Sequence, residues 1–101
     1  MSKRERDKGL LGEREVRHLF EGAGFAVRGL EGMGDNLVLC DRGLTLHLET
    51  KRQERVSLPL WARQAEAEAP AGTVPVVCWR PSRALWRADL SLEHLLGILR
   101  R

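Results

Sequence analysis

The stretch Leu44-Thr45-Leu46-His47-Leu48-Glu49-Thr50-Lys51 decides how the rest of the chain is read. It alternates with a period of two, so Leu44, Leu46 and Leu48 share one face of a strand while His47, Glu49 and Lys51 share the other. An apolar face of this kind has to be covered, which makes the segment one strand of a sheet packed against other elements. Just upstream, Asp41-Arg42-Gly43 reads as a tight hairpin turn of the Asp/Gly kind, and Asn36 to Cys40 as the strand paired through it. Pairing back from that turn brings Asp35 toward the end that bears Glu49 and Lys51.

Working outward, residues 9–23 have helical periodicity, with Val16, Leu19, Phe20 and Ala23 on one apolar face. Gly22 and Gly24 punctuate it, Phe25-Ala26-Val27 begins a first strand, and Gly29 to Gly34 is a turn region. On the other side a polar loop leads to Ser57, which caps a helix over 58–69 with Pro59 in its first turn; Pro70-Ala71-Gly72 ends it. Thr73 to Trp79 is a strongly apolar strand whose Pro75 predicts an edge position or an early break. Leu85 to Ala88 is a further short strand, and Ser91 caps a final helix carrying Leu92, Leu95, Leu96 and Leu99. The order αβββαβ plus a C-terminal helix predicts an α/β fold, a central mixed sheet flanked by helices. No repeat or linker divides the chain, so residues 1–101 form one domain, with 1–7 as a charged N-terminal arm.

Composition narrows the function. A chain of 101 residues makes one core and one site. Its 43% hydrophobic and 31% charged residues exclude a disordered tail. The uncharged apolar runs are too short to span a membrane, and no apolar segment follows the charged start, so an intracellular, cytoplasmic protein is expected. Cys40 and Cys78 sit in apolar runs, which suits reduced thiols, and His18, His47 and His94 have no zinc-finger spacing. The formal charge of +3 and pI of about 9.4 favour a polyanionic partner. Fourteen of the 17 basic residues are arginine, and only Lys3, Lys8 and Lys51 are lysine. Lys51 alone lies in the interior of the sequence, where a compact ammonium serves as a point charge that a planar guanidinium does not replace.

Glu49 and Lys51 stand about 7 Å apart along their strand, a spacing at which a carboxylate holds a metal while an ammonium reaches the same phosphate. Asp35 converging with Glu49 suits a hard divalent ion, Mg²⁺ or Mn²⁺. The first helix offers a further acid: Glu13 falls about 20° from Phe20 and Glu15 about 40° from Leu19, so periodicity barely separates them and favours Glu13 slightly. His47 shares the face of Glu49 and is expected to be a partly exposed structural histidine. Trp79-Arg80-Pro81-Ser82-Arg83 and Trp86-Arg87 interleave aromatic and basic side chains, which fits either contacts with a nucleic-acid backbone or tryptophans in the core beside solvated arginines.

Lys8-Gly9-x-x-x-Glu13-Arg14-Glu15, a helix running into Gly24-Phe25-Ala26-Val27, then Gly34-Asp35 and Leu48-Glu49-Thr50-Lys51, together resemble the PD-(D/E)xK nuclease superfamily. Within it the pattern is most similar to archaeal-type Holliday junction resolvases and their phage relatives, over about residues 8 to 80. The resemblance implies a restriction-endonuclease-like core. It implies that Glu13 is the helical acid near the metal, Asp35 and Glu49 its carboxylate ligands, and Lys51 the lysine at the scissile phosphate and attacking water. Gln64 resembles the helix glutamine of some members. The function so implied is a Mg²⁺- or Mn²⁺-dependent DNA endonuclease cutting four-way junctions, in the host cytoplasm if phage-encoded. Arg14, Arg52, Arg55, Gln64, Arg80, Arg83 and Arg87 are the expected DNA contacts. A homodimer is expected, with Trp61, Trp86 and the leucines of the final helix contributing apolar surface. The alternatives are another nuclease of the superfamily, restriction-like or of the VRR-NUC repair type, and a non-catalytic basic nucleic-acid-binding module.

Overall fold

The structure, a computed structural model, describes residues 2–29 and 36–101. Helix α1 spans Lys3–Gly22, β1 Ala26–Arg28, β2 Asn36–Leu39, β3 Thr45–Arg52, α2 Leu58–Glu68, β4 Val74–Arg80, β5 Arg87–Asp89 and α3 Leu92–Leu99. The five strands lie in one sheet in sequence order. Every neighbouring pair is antiparallel except β3 and β4, which run parallel because α2 carries the chain back between them.

Within the expected charged arm at 1–7, residues 3–7 are instead the start of α1. Ser2 caps the helix, its hydroxyl accepting from the backbone N–H of Glu5 at 3.2 Å. Ser2-Lys3-Arg4-Glu5 has the Ser-x-x-Glu spacing of a capping box, so a polar, exposed helical extension precedes the apolar periodicity. At the other end, Gly24 adopts φ +97°. The N–H of Phe25 then reaches the carbonyl of Phe20 and that of Gly24 the carbonyl of Glu21, closing the last carbonyls of the helix. In the turn between β2 and β3, Arg42 and Gly43 both have positive φ, 60° and 73°, the backbone a tight hairpin turn needs.

Two cores flank the sheet. On the α1 face Val16 packs with Val27, Val38, Leu48, Val76 and Cys78, joined by Phe20, Leu46 and Trp86. On the other face Trp61 and Ala65 of α2 pack on Val77, and the Trp61 and Trp79 rings lie 6.5 Å apart. Trp61 therefore belongs to the core and is not surface for a second copy. Trp79 and Trp86 likewise pack against the cores, and Trp86 carries the Arg80 guanidinium 5.3 Å from its ring centre.

Pro75 is not in an edge strand: β4 lies between β3 and β5. However, β5 covers only Val77 to Trp79, so Pro75 sits where β4 has a partner on one side alone and its missing N–H leaves no gap in that second ladder. Both cysteines are free thiols, and burial pushes Cys78 up to about 12. None of the described helices is long and apolar enough to cross a membrane.

Candidate active site at the end of the central strand

β3 pairs with β2 over Thr45 to Leu48 and with β4 over Leu46 to Arg52, and its alternation assigns each side chain to a layer. Leu46 and Leu48 point into the α1 core, and Gly12 of α1 lies over Thr50 and Arg52. His47, Glu49 and Lys51 are in register with Pro75, Val77 and Trp79, the strand face that α2 covers. His47 is only 1% exposed and so is fully buried, not partly exposed as its position suggested. Glu49 is 9% exposed, a carboxylate nearly shut from solvent beside Val77 of β4. Lys51, nearer the strand end, is half-buried and makes no hydrogen bond or ion pair among the described residues.

A cleft of about 650 Å³ opens here between the first half of α1 and the end of β3, with Lys8 and Glu13 on the helix wall and Lys51 and Glu54 on the strand wall. The two glutamates that the helical wheel left nearly level are separated by it. Glu13 lines the cleft. Glu15 accepts from Arg80 Nη2 with both oxygens, at 2.7 and 3.1 Å, and its Oε2 lies 3.7 Å from Arg52 Nε. Gly12 lets the helix approach this closely, since a Cβ there would lie 3.1 Å from Arg52 Cβ and 3.4 Å from Trp86.

The remaining expected site residues divide by their partners. Asp35 lies outside the described residues; its chain neighbour Asn36, buried, stands opposite Leu48. Arg52 and Arg80 are both engaged with Glu15, and the Gln64 amide donates to Glu68 on its own helix at 3.3 Å. Arg14, Arg55, Arg83 and Arg87 are exposed. Among the described residues, no three His, Cys, Asp or Glu side chains group as a ready metal cage.

One cluster escaped the sequence. Glu54 Oε1 accepts from Lys8 Nζ at 3.0 Å, from the Ser82 N–H at 2.8 Å and from the Ser82 hydroxyl. The hydroxyl, the ammonium and the amide together hold its carboxyl down to about 2. The cluster ties α1 to the β3–α2 loop and the β4–β5 loop. Nothing in the sequence signals it, because its three members are far apart along the chain.

Comparison with solved structures finds a match with Hjc of Archaeoglobus fulgidus, a Holliday junction resolvase from an archaeal hyperthermophile. The two superpose with a TM-score of 0.63 and 26% sequence identity over 82% of this chain and 72% of that one. The chain has a restriction-endonuclease-like core. Its mixed five-stranded sheet between helices is the architecture shared with that resolvase. No protein-family model and no curated protein sequence matches the chain.

Proposed function

We propose that the chain is a divalent-metal-dependent DNA endonuclease that cuts four-way junctions. The observation that carries this is a nearly buried carboxylate, Glu49, two residues before an uncommitted ammonium, Lys51, at a strand end of a fold similar to that of a Holliday junction resolvase. Carboxylate oxygen is the donor that Mg²⁺ and Mn²⁺ take. Glu49 needs a further donor from outside the described residues, and Asp35, immediately before Asn36 in the chain, is that donor in this proposal. Glu13 on the cleft wall orients water or metal. An ion bound there lowers the pKa of a coordinated water and polarises a phosphoryl oxygen.

The chain's own groups do the rest. Pairing with Val77 of β4 and burial fix the direction of Glu49, so its carboxylate needs little reorganisation when substrate arrives. Lys51 meets the negative charge that grows on the phosphoryl oxygens, and having no partner among the described residues it is available at once. Exposed Arg14, Arg55, Arg83 and Arg87 take the phosphate contacts that set position along DNA, because their exposure lets them reach a backbone. Two symmetric cuts need two copies. The surface for pairing is α3, which has no buried residue and leaves Leu92 76% and Leu99 71% exposed.

A gel assay of junction, fork and linear duplex, with and without Mg²⁺, tests the proposal. Metal-dependent cutting of the junction in preference to duplex is expected. Binding without cutting under any divalent metal would assign the chain to non-catalytic nucleic-acid binding instead.

A further inference from the structure

Lysine is scarce in this chain, three residues against fourteen arginines, yet Lys8 and Lys51 line the same cleft from its two walls. A sequence that uses arginine almost everywhere keeps the compact ammonium at both places. An ammonium presents three rotatable donors to a tetrahedral phosphate, where a guanidinium presents a fixed planar fork. The two lysines differ in one respect. Lys51 is uncommitted, whereas Lys8 is held 3.0 Å from Glu54 Oε1.

That carboxylate does not depend on Lys8 for its own position. The backbone N–H and hydroxyl of Ser82 both donate to the same oxygen, so Glu54 stays fixed between the β3–α2 and β4–β5 loops when the ammonium leaves. A free lysine stem samples many rotamers in solvent, and a fixed acceptor confines it to the cleft mouth. A phosphate entering the cleft then competes with Glu54 for an ammonium already placed.

We propose that Lys8 is a second phosphate-binding residue of this cleft, taking the phosphate next to the one at Lys51, and that Glu54 is the positioning residue that aims it. The proposal rests on the nuclease reading above and adds two residues to it.

The test is junction binding by the full chain over a range of salt, with a chelator present so that nothing is cut. Lys8→Ala is expected to weaken binding about tenfold and to reduce the slope of log affinity against log salt by about one, the signature of one lost phosphate contact. Lys8→Arg restores the slope. Glu54→Gln decides the positioning role by its sign. It removes a negative charge beside DNA, which by simple electrostatics tightens binding; a positioning residue predicts about threefold weaker binding instead. In the double variant the loss equals that of Lys8→Ala alone, because Glu54 acts through Lys8. Tighter binding by Glu54→Gln, or losses that multiply in the double variant, would overturn the proposal. Normal salt-dependent binding that ignores Lys8→Ala defeats it while leaving the nuclease reading intact. Absence of salt-dependent DNA binding in the unaltered chain defeats both.

Discussion

Glu13 and Glu15 leave α1 two residues apart and meet different surroundings. Around Glu15 the molecule is closed: Arg80 and Arg52 converge on the carboxylate, Trp86 lies under Arg80, and Gly12 lets the helix sit against Thr50 and Arg52. Around Glu13 it is open, with a cleft, an uncommitted Lys51 and a second lysine at the mouth. The closed region spans α1, β3 and β4 and holds the helix at a fixed distance from the strand end; the open region depends on that distance. The same residue type thus lies in a closed ion-pair cluster at one position and on a cleft wall at the other.

The largest effect is expected at the end of β3. Glu49→Gln, which keeps the shape of the buried side chain, or Lys51→Ala should abolish junction cleavage in the gel assay while a cooperative thermal melt is retained. Retained cutting at the unaltered rate by either variant would move the chemistry elsewhere. Exchanging the roles of the two glutamates sharpens the contrast. Glu15→Gln should destabilise the fold by about 1–3 kcal/mol in urea unfolding, since it leaves two half-buried guanidiniums with weakened partners. Glu13→Gln should shift the unfolding curve less than Glu15→Gln does and should lower the cleavage rate. Equal unfolding midpoints for the two variants would break the comparison.

A smaller pair of effects concerns glycine. A Cβ at Gly9 meets nothing within 4 Å, so Gly9→Ala should stabilise the helix by up to about 1 kcal/mol. Gly12→Ala gains the same helical preference but presses on Arg52 and Trp86, which costs about 1–3 kcal/mol and reverses the sign. Thermal melts of both variants check this. The smallest effect is in acid. Glu54 titrates at about 2 in the folded chain against an ordinary 4.5, so its stabilisation is complete above about pH 4.5 and is lost as pH falls toward 2. The difference in melting temperature between the unaltered chain and Glu54→Gln should therefore shrink over that interval.

What could be read from residues alone follows the range of the interactions. The β2–β3 hairpin, the alternation of β3 and the start of α2 after Ser57 are local patterns, and the structure has them at the expected places, although the Ser57 side chain makes no capping hydrogen bond. The start of α1 was missed because Ser2 and Glu5 announce it through capping, not through apolar period. Arg52 and Arg80 looked like DNA contacts because a sequence displays a charge without its partner; Glu15 lies on a different element from both. His47 looked half-exposed because alternation tells which face a residue takes, not that α2 and two strands close over it. Asp35 is the one metal-binding expectation that falls outside the described residues.

The two edges of β3 also become paired by different routes. Its link to β2 closes through a three-residue turn, whereas its link to β4 must bring together segments separated by the whole of α2 and two loops. Local hairpins form within microseconds, while non-local parallel pairing bears the loop-closure entropy first. Glu49 is enclosed only when β4 arrives. Loop-closure entropy therefore places the enclosure of Glu49 after the formation of the hairpin, so that a partly folded chain holds the hairpin and its charged residues without the rigid wall that β4 supplies.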